Sequence, residues 1–124
     1  QDGLDEISVS APTRIVYIRE GELTEDVIHP TDFGLGEWDR EEVVATTLDT
    51  ATTFVRDGVS VGSSGAVRDM IVLSASVGLF LADRVQSVSE GVEMASGAID
   101  AGLVTEVLVR WAELSHIHTP STEP

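Results

Sequence analysis

Two spacings of hydrophobic residues divide the chain into an early β region and a long helical region. Residues 7 to 28 contain the β part, in which Thr13 to Ile18 is rich in β-branched and aromatic side chains. Glu20-Gly21 follows as a turn, because glycine reaches positive φ without steric cost, and Leu23 to Ile28 resumes the pattern. We therefore predict a β-hairpin, preceded by a short strand at Ile7 to Val9.

A loop over residues 29 to 46 separates the hairpin from the helices. His29-Pro30 ends the second strand, and Phe33 and Trp38 stand among glycines, where we expect them to fill space against the core. The first helix is predicted to follow a cap at Thr46 or Thr47, and Asp57-Gly58 is predicted to stop it.

Three more helices are predicted before residue 116. Asp69 is predicted to cap the most apolar of them, Met70 to Arg84, which should be buried on most faces. Ser87 and Glu90 form a capping-box pattern at the start of the next, which Gly102 closes. The last helix should turn one apolar stripe to the core, made of Leu103, Val104, Val107, Leu108, Trp111 and Leu114. Residues 116 to 124 are polar with two prolines and are predicted to be a flexible tail.

The composition indicates one soluble domain. The chain has 124 residues, of which 42% are hydrophobic, so a core can form. It has no cysteine, which excludes disulfides, thiolate metal sites and thiol nucleophiles. Its longest apolar run, Met70 to Ala82, is too short to span a bilayer. No signal peptide precedes the fold, so we expect a cytoplasmic protein that does not associate with membranes.

The charge is the most unusual global property. Seven arginines, no lysine and 22 acids give a formal net charge of −15. A nucleic-acid-binding face is excluded, because no basic patch could release counterions from a phosphate backbone. The acids are spread along the chain, and molar salt would screen their repulsion by shortening the Debye length to about 3 Å. We therefore expect a halophilic source, with a basic partner surface as the alternative.

Three carboxylates crowd into the first six residues, at Asp2, Asp5 and Glu6. Asp5 and Glu6 are adjacent, and Gly3 gives the backbone freedom to bring both to one side. Mg²⁺ takes hard oxygen ligands, usually one or two protein carboxylates together with water and substrate phosphate. By spacing alone, however, solvated acids on an acidic surface are the favoured interpretation, with a metal pair as the alternative.

Four parts of the chain form a recognisable combination: Asp2 to Ser8, Pro12-Thr13-Arg14 with the Pro30 and Asp32-Phe33-Gly34-Leu35 loop, Arg68-Asp69, and Ser87 to Gly102. Taken together, they resemble the C-terminal part of the anthranilate phosphoribosyltransferase family, in the nucleoside phosphorylase/phosphoribosyltransferase group. The resemblance implies an α/β fold, with the hairpin followed by three to four helices. Val44 to Ala51 departs from the family's Gly-Gly-x-Ala-x-Glu-Asn-Ala stretch, and Ser74 stands where asparagine is common.

The resemblance implies transfer of phosphoribosyl from phosphoribosyl diphosphate to anthranilate in tryptophan biosynthesis. It assigns Asp5 and Glu6 to Mg²⁺ and gives Asp2 a weaker claim. The family's glycine-rich diphosphate loop is not in this sequence, so we expect a C-terminal fragment, inactive alone, of a homodimeric enzyme. A divergent paralogue, a nucleoside phosphorylase relative with another substrate, and a non-catalytic protein-binding domain remain alternatives.

Other polar residues are predicted to have structural roles, and no catalytic residue is assigned. His116-x-His118 lies in the polar tail and His29 at a strand end, so neither is expected to bind a metal. Arg68 is expected to form an ion pair or to be exposed. Ser74 and Ser76 should be packing residues, because no base lies near them in sequence.

Overall fold

The computed structural model describes residues 3–4 and 6–117, with side chains of the last helix described to residue 115. Two strands, β1 (Thr13–Arg19) and β2 (Glu22–Ile28), come first. Two short 3-10 turns, Pro30–Phe33 and Arg40–Glu42, lead to the helices. The helices are α1 (Leu48–Gly58), α2 (Ala66–Leu81), α3 (Val88–Asp100) and α4 (Leu103–Ile117). The predicted order of a hairpin followed by helices is therefore confirmed.

The hairpin is antiparallel and closes on a two-residue turn, as predicted. Arg19 pairs with Glu22, and Glu20 and Gly21 between them have φ of 51° and 84°. Left-handed conformations at both turn positions match the twist of the two strands. One face packs towards α2, where the rings of Tyr17 and Phe80 meet edge to face at 6.3 Å between centroids. Val16, Ile18, Leu23 and Val27 lie on the other face and are exposed.

The short strand predicted at Ile7 to Val9 is wrong. Val9 is fully buried, but it lies in a bend and pairs with no strand among the described residues. The Ser8 hydroxyl accepts the backbone N–H groups of Ser10 and Ala11 at 2.9 and 3.0 Å, which makes a side-chain turn. Apolar, β-branched residues in this segment therefore reflect burial rather than sheet pairing.

The limits of α1 and the cap of α3 follow the prediction. The Thr47 hydroxyl accepts the N–H of Thr50 at 3.1 Å, and α1 ends at Gly58. At the start of α3, the Ser87 hydroxyl accepts the N–H of Glu90 at 3.1 Å. The carboxylate of Glu90 reaches back to the N–H of Gln86 at 2.8 Å, one residue earlier than a capping box would place it.

The predicted start of α2 at Met70, with Asp69 as its cap, is wrong. The helix begins four residues earlier, at Ala66, and the capping residue is Gly65 with φ of 102°. Asp69 is inside the first turn, and its side chain bonds to a distant loop instead. The helix ends at Leu81, short of Arg84, and Leu81 is 73% exposed.

The core lies between α2 and its neighbours. One cluster joins the segment before the hairpin to α2 and consists of Val9, Val43, Ala66 and Leu73. A second joins α2 to α3 and consists of Val72, Val92, Ala95 and Ile99. The two helices approach closely because Gly91 lies directly against the backbone of the buried Ser76.

The last helix does not bury the predicted stripe. Leu103, Val107, Trp111 and Leu114 are 52–70% exposed, so the placement of Trp111 in the core is wrong. The helix continues to Ile117, two residues past the predicted boundary of the tail, and residues 118–124 lie outside the described part. No helix in the described ranges has the length and apolarity that a membrane crossing requires.

Candidate functional site

The candidate site is the acidic segment, which is the N-terminal stretch with Asp2, Asp5 and Glu6. Of these three acids, the structure describes Glu6. Glu6 lies in a bend with an exposed side chain, and Gly3, three residues before it, has φ of +79°. Asp2 and Asp5 lie outside the described residues. Gly3 thus has the turning backbone that the sequence predicted.

Hydrophobic neighbours hold Glu6 at the surface. Leu4 and Ile7 both pack against the cluster of Val9 and Leu73. Leu4 and Ile7 therefore attach the chain to the core on either side of Glu6. The Glu6 carboxylate remains open to solvent, where a cation or a charged ligand can reach it.

The donor chemistry of this segment fits Mg²⁺ but does not form a closed metal cage. Among the described residues, no three acids or histidines come together as a possible metal cluster. Mg²⁺ does not need such a cluster, because it retains several waters and is often held by one or two carboxylates and a substrate phosphate. An exposed Glu6 beside a second acid in sequence meets that requirement.

A polar network joins the loop after the hairpin to α2. The Oδ2 atom of Asp69 accepts the backbone N–H of Gly36 and the indole N–H of Trp38, each at 2.8 Å. The backbone N–H of Trp38 donates to the carbonyl oxygen of Val9 at 3.0 Å. The segment that carries Glu6 is therefore tied, through this loop, to the first turn of α2.

Arg68 forms an ion pair, as expected from the sequence. Its guanidinium lies 3.0 Å from a carboxylate oxygen of Asp100 and donates to the hydroxyl of Ser63 at 3.1 Å. The Arg68 side chain is only 11% exposed. These contacts occupy the guanidinium and join the loop before α2 to the end of α3.

The serines and histidines named in the sequence analysis do not build a site in the described structure. Ser76 is fully buried, and its hydroxyl donates to the carbonyl of Leu73 at 2.7 Å, which is a packing role. His29 precedes the 3-10 turn at Pro30. The His116 side chain and all of His118 lie outside the described residues.

A separate apolar groove of about 640 Å³ runs between α1 and α4. Its lining includes Val55, Val59, Leu108 and Val109, and no acid. The groove therefore lacks the carboxylates that characterise the acidic segment.

Sequence reasoning missed the role of Asp69. An aspartate at a helix start is usually explained as a cap. The groups that donate to Asp69, on Trp38 and Gly36, lie 31 and 33 residues earlier in the chain. The only signal was indirect: a tryptophan in a polar loop needs an acceptor for its indole N–H when it is partly buried.

Comparison with known proteins identifies the domain. Residues 1–105 match the glycosyl transferase family, a/b domain. The chain is 41% identical over 108 residues to the anthranilate phosphoribosyltransferase of Thioalkalivibrio sulfidiphilus, covering 87% of this chain and 32% of that protein. It is 38% identical over 115 residues to the enzyme of the same name from Symbiobacterium thermophilum, covering 93% of this chain and 33% of that protein.

A third relative matches nearly the whole chain. The anthranilate phosphoribosyltransferase of Methylobacterium radiotolerans is 36% identical over 123 residues, which covers 98% of this chain and 35% of that protein. The chain spans about a third of the length of the curated relatives it matches. The family match covers the acidic segment, the hairpin and the helices through the start of α4, and the chain belongs to the glycosyl transferase family of α/β domains.

Proposed function

We propose that this chain supplies the carboxylate part of a phosphoribosyl-transfer site, acting in the transfer of phosphoribosyl from phosphoribosyl diphosphate to anthranilate in tryptophan biosynthesis. The observation that carries the proposal is the similarity to proteins named anthranilate phosphoribosyltransferase over 87–98% of the chain. The exposed Glu6, fixed between Leu4 and Ile7, supports it from the structure.

Asp5 and Glu6 would hold Mg²⁺ in this site. When bound, Mg²⁺ neutralises the negative charge that develops on a diphosphate leaving group. Among the described residues, Glu6 contributes an exposed carboxylate, and Leu4 and Ile7 pack against the core on either side of it. Fixed geometry matters because transfer reactions depend on holding the reacting groups in line.

The chain needs a second part to complete the site. Its formal net charge of −15 makes it a poor direct binder of phosphate, and the guanidinium of Arg68, whose side chain is only 11% exposed, is already paired with Asp100. A diphosphate-binding loop would come from the region of the relatives that this chain does not span. The fragment status implied by the resemblance is part of the proposal.

A chimera tests this function directly. The chain would replace the matching third of the Thioalkalivibrio sulfidiphilus relative, and phosphoribosyl transfer to anthranilate would be followed by the loss of anthranilate fluorescence at several Mg²⁺ concentrations. We expect the chimera to turn over. The double variant Asp5→Asn/Glu6→Gln should lose at least tenfold in kcat/KM and require more Mg²⁺.

A control variant with the same change in net charge separates the effect of losing Asp5 and Glu6 from the effect of lowering the overall charge. Glu20→Gln/Glu22→Gln removes two exposed acids at the hairpin turn and should leave turnover and Mg²⁺ dependence unchanged. A folded chimera without turnover would contradict the proposed reaction. Full activity of Asp5→Asn/Glu6→Gln at unchanged Mg²⁺ would contradict the metal assignment.

The homodimeric state, the cytoplasmic location and the halophilic source implied earlier belong to the same proposal. Size-exclusion chromatography of the chimera with light scattering tests the dimer. The acid excess along the whole chain supports the halophilic source, because a high-salt cytoplasm screens the repulsion that such a surface creates.

A further inference from the structure

We propose that Asp69 is a positioning residue for the metal-binding acids, acting through Trp38 and Val9. The inference rests on the proposed function, since it concerns the same acidic segment. It goes beyond that proposal by assigning a role to a carboxylate on α2 whose hydrogen bonds go to Gly36 and Trp38 in the loop after the hairpin.

The first step is the contact between Asp69 and the loop. One carboxylate oxygen, Oδ2, accepts both the Gly36 N–H and the Trp38 indole N–H at 2.8 Å. Hydrogen bonds to an ionised acceptor are stronger than those between neutral groups. Both donors lie in the same loop, so a single side chain fixes the loop by a backbone atom and a ring.

The second step carries that position to the acidic segment. The Trp38 N–H donates to the carbonyl of Val9 at 3.0 Å, and Val9 is fully buried. Val9 lies three residues after Glu6. The indole ring also packs, with Ile7, against the cluster that contains Val9 and Leu73. The loop thus contacts the acidic segment by a hydrogen bond and by a shared hydrophobic cluster.

The third step is the packing of α2, the helix that carries Asp69. Asp69 is in the first turn of α2, between the buried Ala66 and the fully buried Leu73. A carboxylate near a helix N-terminus is also favoured by the helix dipole. The anchor is therefore on a helix that contributes Ala66 and Leu73 to the core, whereas Glu6 itself is exposed. Replacing Asp69 should therefore loosen the position of Asp5 and Glu6 without removing a carboxylate that is proposed to bind the metal.

The test uses Mn²⁺ as a paramagnetic substitute for Mg²⁺ with the ¹⁵N-labelled chain. Substoichiometric Mn²⁺ should broaden the amide signals of Ser8 and Val9, which lie next to the acids. The amides of Glu20 and Glu22, exposed acids at the hairpin turn, report non-specific binding in the same spectra. In Asp69→Ala we expect the Mn²⁺ concentration for half-broadening at Ser8 and Val9 to rise threefold or more.

Two further variants make the result specific. Asp69→Asn keeps an acceptor oxygen. On a logarithmic scale, the Mn²⁺ concentration for half-broadening should therefore rise by no more than half as much as in Asp69→Ala. Asp100→Ala breaks the ion pair with Arg68 at the end of α3, away from this network, and should leave Mn²⁺ binding unchanged. Should Asp69→Ala not fold, Trp38→Phe removes the indole donor and part of the ring but keeps the backbone N–H that bonds to Val9, and it should raise the concentration about twofold.

The outcomes separate this inference from the proposed function. A folded Asp69→Ala, or a folded Trp38→Phe, that broadens at the wild-type Mn²⁺ concentration would overturn the positioning role. If Asp5→Asn/Glu6→Gln leaves broadening at Ser8 and Val9 unchanged, the metal assignment fails whatever Asp69 does. Loss of binding in that double variant, with no effect of Asp69→Ala, defeats the inference and leaves the proposed function standing.

Discussion

Gly91 sets the distance between α2 and α3, so Gly91→Ala is expected to force these helices apart. An added Cβ would lie 2.7 Å from the carbonyl oxygen of Ser76 and 2.9 Å from its Cα and Cβ atoms. Real Cβ atoms essentially never approach other atoms so closely. Ser76 is fully buried and its backbone is helical, so no flexible side chain can move aside.

The magnitude follows from two opposing effects. Alanine is better than glycine inside a helix by about 1 kcal/mol. Overpacking a well-packed core typically costs about 1–3 kcal/mol, and a clash with backbone belongs at the upper end of that range. We expect Gly91→Ala to lower the free energy of unfolding by about 1–2 kcal/mol relative to the wild type.

Gly97→Ala is the matched control, because Gly97 lies in the same helix, is exposed, and has no atom within 4 Å of an added Cβ. The propensity gain is the same in both variants, so their difference isolates the clash. That difference should be about 2–3 kcal/mol, or roughly 8–12 °C at about 4 °C per kcal/mol. Thermal and urea unfolding, followed by circular dichroism in molar KCl, would measure it. Equal stability of the two alanine variants would refute a close contact between α2 and α3.

Two further predictions concern charge and capping. Raising KCl from 0.1 to 2 M shortens the Debye length from about 10 Å to below about 3 Å, so the thermal midpoint should rise; a midpoint that stays constant would argue against self-repulsion as the main effect of the −15 charge. Ser87→Ala should lower the free energy of unfolding by about 1 kcal/mol, because the Glu90 N–H loses its acceptor. Ser89→Ala, at an exposed position two residues later, should change it by less than about 0.5 kcal/mol, and an equal loss in both variants would contradict the capping role.

The parts of the fold that depend on local chemistry were predictable from the sequence. The hairpin follows from β-branched residues on both sides of Glu20-Gly21, and Gly21 has the predicted positive φ, whereas the positive φ of Glu20 was not predicted. The caps at Thr47 and Ser87 are equally local, since the donors lie three residues away. Such features need no knowledge of distant neighbours.

The errors occurred where tertiary contacts decide. A capping glycine such as Gly65 offers no side chain to identify the start of α2, and Asp69, which resembles a cap, bonds to the loop at Gly36 and Trp38. Val9 is buried in a cluster with Val43, Ala66 and Leu73, and it pairs with no strand in the described part of the chain. Periodicity in α4 correctly predicted a helix, but it could not show that Trp111 would be 70% exposed.

The candidate site was only partly predictable. Adjacent acids at Asp5 and Glu6 are common in a chain with 22 acids, so spacing alone favoured a solvated surface. The family resemblance singled them out. The exposure of Glu6 between Leu4 and Ile7, and the anchor at Asp69, required the three-dimensional structure, because the contacts join segments separated by more than 30 residues.

The apolar side chains left exposed on α1 and α4 have a consequence for how this protein behaves in concentrated solution. Val55, Leu103, Val107 and Trp111 are each about half exposed or more. At low ionic strength the strong negative charge makes the molecules repel one another, which prevents association through these apolar side chains. Salt removes that barrier, and strongly hydrated anions such as sulfate also strengthen apolar association. Conditions that best preserve the individual fold should therefore also bring the chain closer to salting out, and chloride should give a wider working range than sulfate.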